Sequence, residues 1–246
     1  VIRVRHAQVP QFPVYLFDID GTLLDSAQDI CAAVGQVLAA AGSKPVTFEY
    51  LKSYIGLHLI AVFGDTLPHY TPEQIDGLIQ QYRTIYLGRG HGQTCVFPGV
   101  REALIALGGR KSTATTKGSP TTRAVLEQFG LLPFFDHVQG TDGFPCKPAP
   151  DVILAAIAAL GATPEECLMV GDSPADMEAG RRAGVKICAV RYGYGNAEEM
   201  ARFEPDYWID DLRALVPSVP ATIKAAGTHL CASSTSRFDN EGPDNA

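Results

Sequence analysis

The chain has 246 residues, 46% of them hydrophobic, and 20 Lys and Arg against 27 Asp and Glu leave a formal charge of −7. That length is ample for a buried core in one large domain or in a domain with an insertion. The 24 Gly and 17 Pro follow no G-X-Y period, no apolar run approaches the roughly 18–20 residues of a membrane helix, and no basic stripe marks a nucleic-acid binder.

Val14-Tyr15-Leu16-Phe17 is a short run of strand formers without alternation, which predicts a strand buried on both faces. The polar, turn-prone segment Asp18-Ile19-Asp20-Gly21-Thr22 follows it. From about Ser26 to Leu87 the period is helical. Ser26 caps a helix to about Ala41, Thr47 caps a second near Glu49 to Tyr54, a third runs near Leu57 to Thr66, and Thr71-Pro72 opens a fourth to about Leu87. Three or four helices placed directly after a buried strand look like an inserted domain. The stretch Gly88-Arg89-Gly90-His91-Gly92 closes it.

Beyond Gly99, helices and short strands alternate. Helices are predicted over Val100–Leu107, from Ser119-Pro120 to Gly130, from Pro150-Asp151 to Gly161 and from Pro174 to Gly184. Strands are predicted at Lys111–Thr115, His137–Gly140, Cys167–Val170, Val185–Val190 and Tyr207–Ile209. This alternation means right-handed βαβ units, a parallel sheet and the α/β class. Past about Pro217 the chain turns polar and aperiodic, so residues 218–246 are expected to be a disordered tail.

The six cysteines are Cys31, Cys95, Cys146, Cys167, Cys188 and Cys231, and no two lie close enough for a CxxC pair. Cys31, Cys167 and Cys188 sit in apolar stretches and read as free core cysteines. The first dozen residues lack an apolar stretch of the signal-peptide type. The expectation is a cytoplasmic protein with reduced thiols.

In an α/β sheet, ligands bind beyond the carboxyl ends of the strands. Asp18 and Asp20 follow the first strand directly. Side chains two apart on extended chain point the same way, so both carboxylates are expected to face one small space, which needs a cation between them. Val170-Gly171-Asp172-Ser173-Pro174-Ala175-Asp176 repeats the arrangement after a second apolar strand, with Asp172 at the strand end and Asp176 four residues on. One Asp at a strand end is often only a turn or capping residue. The repeat of spacing and strand context is what points to a hard-oxygen site, with Mg2+ as the expected metal. Lys147, in the Pro-stiffened segment Cys146-Lys147-Pro148-Ala149-Pro150, could offset those carboxylates and hold an anion. Thr115-Thr116-Lys117-Gly118, before the helix at Ser119, offers hydroxyl and backbone N–H groups to an anion.

These four features, in this order, resemble the haloacid dehalogenase superfamily of phosphohydrolases, closest to its phosphoglycolate phosphatase-like branch. DxDGT is matched by Asp18 to Thr22, the hydroxyl after a strand by Thr115, the KPxP lysine by Lys147, and GDSxxD by Gly171 to Asp176. The resemblance spans roughly residues 14 to 215. It implies a Rossmann-like parallel-sheet core over residues 1–23 and 97–217, with an inserted α-helical cap over residues 24–96. It also implies roles. Asp18 is the nucleophile that forms an aspartyl-phosphate, and Asp20 is the general acid and base. Mg2+ binds Asp18, the carbonyl of Asp20, and Asp172. Thr115 or Thr116, with Lys147, holds the phosphate. Asp176 acts from behind, orienting a metal-bound water or Lys147. The predicted strand before Thr115 is more polar than a central strand should be, and Thr116 stands where the family usually has Asn.

The expected partner is a small phosphorylated metabolite, with no nucleic acid and no membrane, and the protein a monomer or homodimer. A pyrophosphatase or phosphomutase of the same superfamily also keeps both aspartates, and a non-catalytic binding module with this fold is the reading from another class. Gly56, Leu57 and His58, in the expected cap, are expected to cover the pocket and set specificity.

Overall fold

Val14–Phe17 forms strand β1 with all four side chains buried. In the computed structural model, which describes residues 9–216, helices cover both faces of β1. Tyr15 and Phe17 pack on one face with Leu104 and Leu126. Val14 and Leu16 pack on the other with Ile153 and Met177. Coverage on both faces is why the strand shows no polar alternation.

After β1 the chain forms the two-residue strand β2 (Leu24–Asp25) and then the helices α1 (Ala27–Ala40), α2 (Phe48–Lys52), α3 (Leu59–Thr66) and α4 (Pro72–Gly88). Strand β3 (Cys95–Val96) returns antiparallel to β2, with Leu24 opposite Val96. The four helices therefore leave and re-enter through one paired stalk. They hold their own apolar cluster, including Val37, Phe63, Ile79 and Tyr82. Buried Asp29 of α1 ties the returning chain by accepting from Arg89 Nε at 3.0 Å, Gln93 N at 2.9 Å and Thr94 Oγ1 at 2.8 Å.

The rest alternates as α5 (Val100–Ala106), β4 (Arg110–Thr113), α6 (Ser119–Gln128), α7 (Asp151–Leu160), β5 (Cys167–Gly171), α8 (Pro174–Ala183), β6 (Lys186–Val190), α9 (Ala197–Ala201) and β7 (Tyr207–Ile209). The sheet order is β4-β1-β5-β6-β7, and every pairing is parallel. No helix among the described residues is long and apolar enough to cross a membrane.

Several expectations shift. β4 is an edge strand, which explains its polarity, and it ends at Thr113 rather than Thr115. Residues 137–140 form no strand. They make a single bridge, His137 to Ser112, because the Thr113 hydroxyl takes both backbone groups of Gln139 at 2.8 Å. α3 starts at Leu59, since the His58 imidazole caps it by accepting from Ile60 N at 3.2 Å. Cys31, Cys167 and Cys188 are buried free thiols. Cys231 and the tail expected over residues 218–246 lie outside the described residues.

Candidate active site

The register of β1 and β5 pairs Phe17 with Val170. Asp18 and Asp172, at the carboxyl ends of these two central strands, thus emerge side by side. Gly21 turns the chain away at φ +92°, and a Cβ there would lie 2.2 Å from Asp172 Oδ2, so only glycine fits. Asp172 Oδ1 accepts from the Thr22 hydroxyl at 2.9 Å, and Oδ2 accepts from Tyr194 N at 2.8 Å.

Ser173 opens α8 as its N-cap in a capping box with Asp176. Asp176 Oδ2 accepts from Ser173 N at 3.0 Å and from its hydroxyl at 2.7 Å. Its other oxygen meets Lys147. The Lys147 ammonium donates to Asp18 Oδ1 at 2.7 Å, to Asp176 Oδ1 at 2.5 Å and to the Ala114 carbonyl at 2.8 Å. All three of its N–H donors are thereby used.

One buried lysine faces three buried carboxylates, and the imbalance registers in their protonation. Burial raises Asp18 to about 6, against Lys147 and with Asp176 and Asp20 adding to the rise. Burial, then Asp176 and Asp18, raise Asp172 well above the usual range. Burial alone would lower Lys147, but Asp176 and Asp18 outweigh it and raise it. Among the described residues, ligand atoms of Asp18, Asp172 and Asp176 lie within 4.8 Å of one another. An all-oxygen set with excess negative charge fits a hard divalent cation, which would keep Asp18 and Asp172 ionised.

Asp20 does not share this cluster through its carboxylate. The chain is already turning there, with Gly21 N bonded to the Leu24 carbonyl at 2.9 Å, so the extended-chain rule fails. Asp20 Oδ1 accepts from the Ser26 hydroxyl at 2.6 Å, and Oδ2 pairs with Lys117 Nζ at 2.9 Å. Ser26 therefore stands at the start of α1 without capping it. The Tyr194 hydroxyl accepts from Ser26 N at 2.7 Å and Ala27 N at 3.0 Å instead.

Thr115 is buried, and its hydroxyl oxygen accepts from Lys117 N at 3.3 Å. It adjoins Ala114, whose carbonyl binds Lys147. Thr116 instead borders a cleft of about 910 Å³, its open mouth included, between the four helices and the sheet. Gly56, Leu57 and His58 line the same cleft. Gly56 has φ +97°, and a Cβ on it would meet Ser173 Cβ at 3.0 Å. That loop therefore lies directly on the turn that carries Asp172.

Lys117, Ser26 and Tyr194 carry parts of this arrangement that sequence reasoning did not assign. Lys117 had a usable signal, a basic residue two positions past Thr115 in the same loop. Tyr194 had none, since it lies 22 residues beyond the Asp172 it serves.

The family described as haloacid dehalogenase-like hydrolase matches residues 15–190, and the chain belongs to it. Its relatives place it among the phosphoric monoester hydrolases of that family. A phosphoglycolate phosphatase of Pseudomonas putida is 33% identical over 220 residues, covering 84% of this chain and 80% of its own. One from Vibrio vulnificus is 35% identical over 214 residues, covering 82% and 94%. A solved haloacid dehalogenase-like family hydrolase from Streptococcus pneumoniae superposes with a TM-score of 0.75 at 25% identity, covering 82% of this chain and 95% of its own.

Proposed function

We propose that the chain is a cytoplasmic, Mg2+-dependent phosphatase that cleaves a small phosphate monoester through an aspartyl-phosphate, with phosphoglycolate the first substrate to test. Two relatives at 33% and 35% identity carry that substrate in their names. The observation that carries the reading is Lys147 held between Asp18 and Asp176 beside Asp172, which leaves Asp18 Oδ2 without a donor among the described residues.

In this reading Asp18 Oδ2 attacks phosphorus and the bond to the ester oxygen breaks. Asp20 gives the departing oxygen a proton. It then takes one from the water that attacks the aspartyl-phosphate, and this returns Asp18 and releases phosphate. Lys147 fixes the nucleophile and faces positive charge to the phosphoryl oxygens. Thr115 supplies a hydroxyl donor from the adjoining loop. Asp18, Asp172 and the Asp20 carbonyl would hold Mg2+, which when bound neutralises charge on the transferring group. Asp176 orients Lys147. Residues 24–96 act as a cap that excludes water, with Gly56, Leu57 and His58 facing the leaving group.

The test is phosphate release from a panel of esters with Mg2+, ranked by kcat/KM. Activity should vanish in chelator and fall with Ca2+, whose looser coordination misplaces the nucleophile. Full turnover after verified metal removal overturns the reading.

A further inference from the structure

The loop after β6 holds a residue that the proposed reaction does not use and that reaches well beyond its own element. Tyr194 N donates to Asp172 Oδ2 at 2.8 Å. The hydroxyl of the same residue lies on the chain that leads into the helical block. It accepts from Ser26 N at 2.7 Å and from Ala27 N at 3.0 Å, and it donates to Asp25 Oδ1 at 2.8 Å. A phenol has one donor and room for two incoming donors, so this hydroxyl is fully used. The Ala27 N–H is one of the orphan donors at the start of α1, which no side chain of its own N-cap residue satisfies. Tyr194 supplies from across the molecule what Thr71 supplies locally for α4.

The other tether and the helical block meet the same residue. Phe97, just past β3, has its ring centre 6.5 Å from that of Tyr194. Lys52 of α2 places its ammonium 5.4 Å from the Tyr194 ring centre. On the opposite side the loop is pressed against the strand end, because a Cβ on Gly193 or on Gly195 would overlap Asp172. Tightly packed parts pass a displacement on rather than absorb it.

We infer that Tyr194 is a positioning residue that couples the first tether of the helical block to Asp172, so that the grip on the tether and the grip of Asp172 on a divalent cation strengthen and weaken together. This deepens the phosphatase reading and rests on its assignment of Asp172 to Mg2+. A tether that swings outward draws the hydroxyl with it, and the N–H on the same residue loses its aim at Asp172 Oδ2. Conversely, when Asp172 is fixed by a cation, the N–H it accepts from is fixed, and the hydroxyl with it. Coupling between two sites is reciprocal, so each can be read from the other.

The test uses the full chain and reads binding and amide exchange, so it does not need turnover. In the wild type, saturating Mg2+ should slow hydrogen exchange at the Ser26 and Ala27 amides by about 3- to 10-fold relative to chelator, the worth of one or two hydrogen bonds. Tyr194→Phe keeps the ring, its neighbours and the backbone N–H, and removes only the hydroxyl. It should abolish that Mg2+-dependent slowing and weaken Mg2+ binding in calorimetry by about 3- to 10-fold. Asp25→Ala, at a partly exposed position, should act in the same direction by about two- to threefold, and it decides by the same two readings if Tyr194→Phe does not fold. Exchange at Ser26 and Ala27 that ignores Mg2+, wild-type Mg2+ affinity in the variants, or no binding of Mg2+ at all overturns the coupling. A hydroxyl that only holds the fold together would lower Tm in Tyr194→Phe and leave Mg2+ affinity unmoved, which overturns it as well. Failure of the phosphatase reading looks different, because it is an absence of phosphate release from every ester in the panel while Mg2+ still slows exchange at the tether.

Discussion

The strand ends and the cap-side cleft solve opposite problems. At the strand ends nearly every polar atom has a partner: Lys147 spends three donors, Asp176 accepts at both oxygens, and Asp172 is held by Thr22 and Tyr194. On the helical side, among the described residues, Arg83 pairs with no carboxylate, Lys117 pairs with one, and the buried His91 Nδ1 has no hydrogen-bond partner. A site that performs one reaction gains from groups that cannot move, because misplacement is costly in rate. A surface that must admit and release a ligand gains from groups still able to bind one.

The largest effect should come from breaking the fixed side. Asp18→Asn is nearly isosteric and should lower kcat by three orders of magnitude or more, with circular dichroism unchanged. A variant keeping several per cent of wild-type turnover removes Asp18 from its role. Lys147→Met strips the cation that bridges Asp18 and Asp176. Breaking such a buried group costs about 3–5 kcal/mol, read by denaturant unfolding in chelator, and Mg2+ should restore part of it. A loss below about 1 kcal/mol would mean that the lysine does not balance these carboxylates.

Gly56→Ala probes the contact between the two sides. Its left-handed backbone alone costs about 1–2 kcal/mol in an L-residue, and the methyl presses on Ser173. KM should rise more than kcat falls, because the loop moves while the strand ends stay. Leu57→Ala and His58→Ala should reorder the ester panel and leave acetyl phosphate nearly unaffected. Uniform losses would make that segment packing alone.

The smallest effects are in pH dependence, and the two sides should differ in sign. In chelator, Asp18 has a folded value of about 6, raised above the unfolded one. Its contribution is present at low pH and is lost as pH rises through about 6. His91 is held low by burial, then by Lys117. Its unfolded form binds the proton more strongly, so its contribution is present above the ordinary 6.5 and is lost as pH falls below that. The Tm difference between pH 5.5 and 7.5 should therefore shift in opposite directions in Asp18→Asn and His91→Asn. Asn also tolerates the φ of +56° at position 91. Shifts in the same direction would break the comparison.

Much of this was legible along the chain. The apolar run at Val14, the Asp18 and Asp172 motifs, the caps at Thr47 and Thr71, and the run of helices after the first strand all rest on local patterns of a few residues. Period, capping and turn chemistry act over such spans, so the sequence by itself determined the α/β class, the run of helices after the first strand and the aspartates at the strand ends. Tertiary structure alone decided who meets whom. It set β4 on the sheet edge, where polar residues are tolerated, and turned Asp20 from Asp18 toward Ser26 and Lys117. It also brought Tyr194 and Gly56 onto the Asp172 turn. Those contacts join residues separated by up to about 170 positions, and buried charges pair with whatever the packed elements bring within reach, which no local pattern encodes.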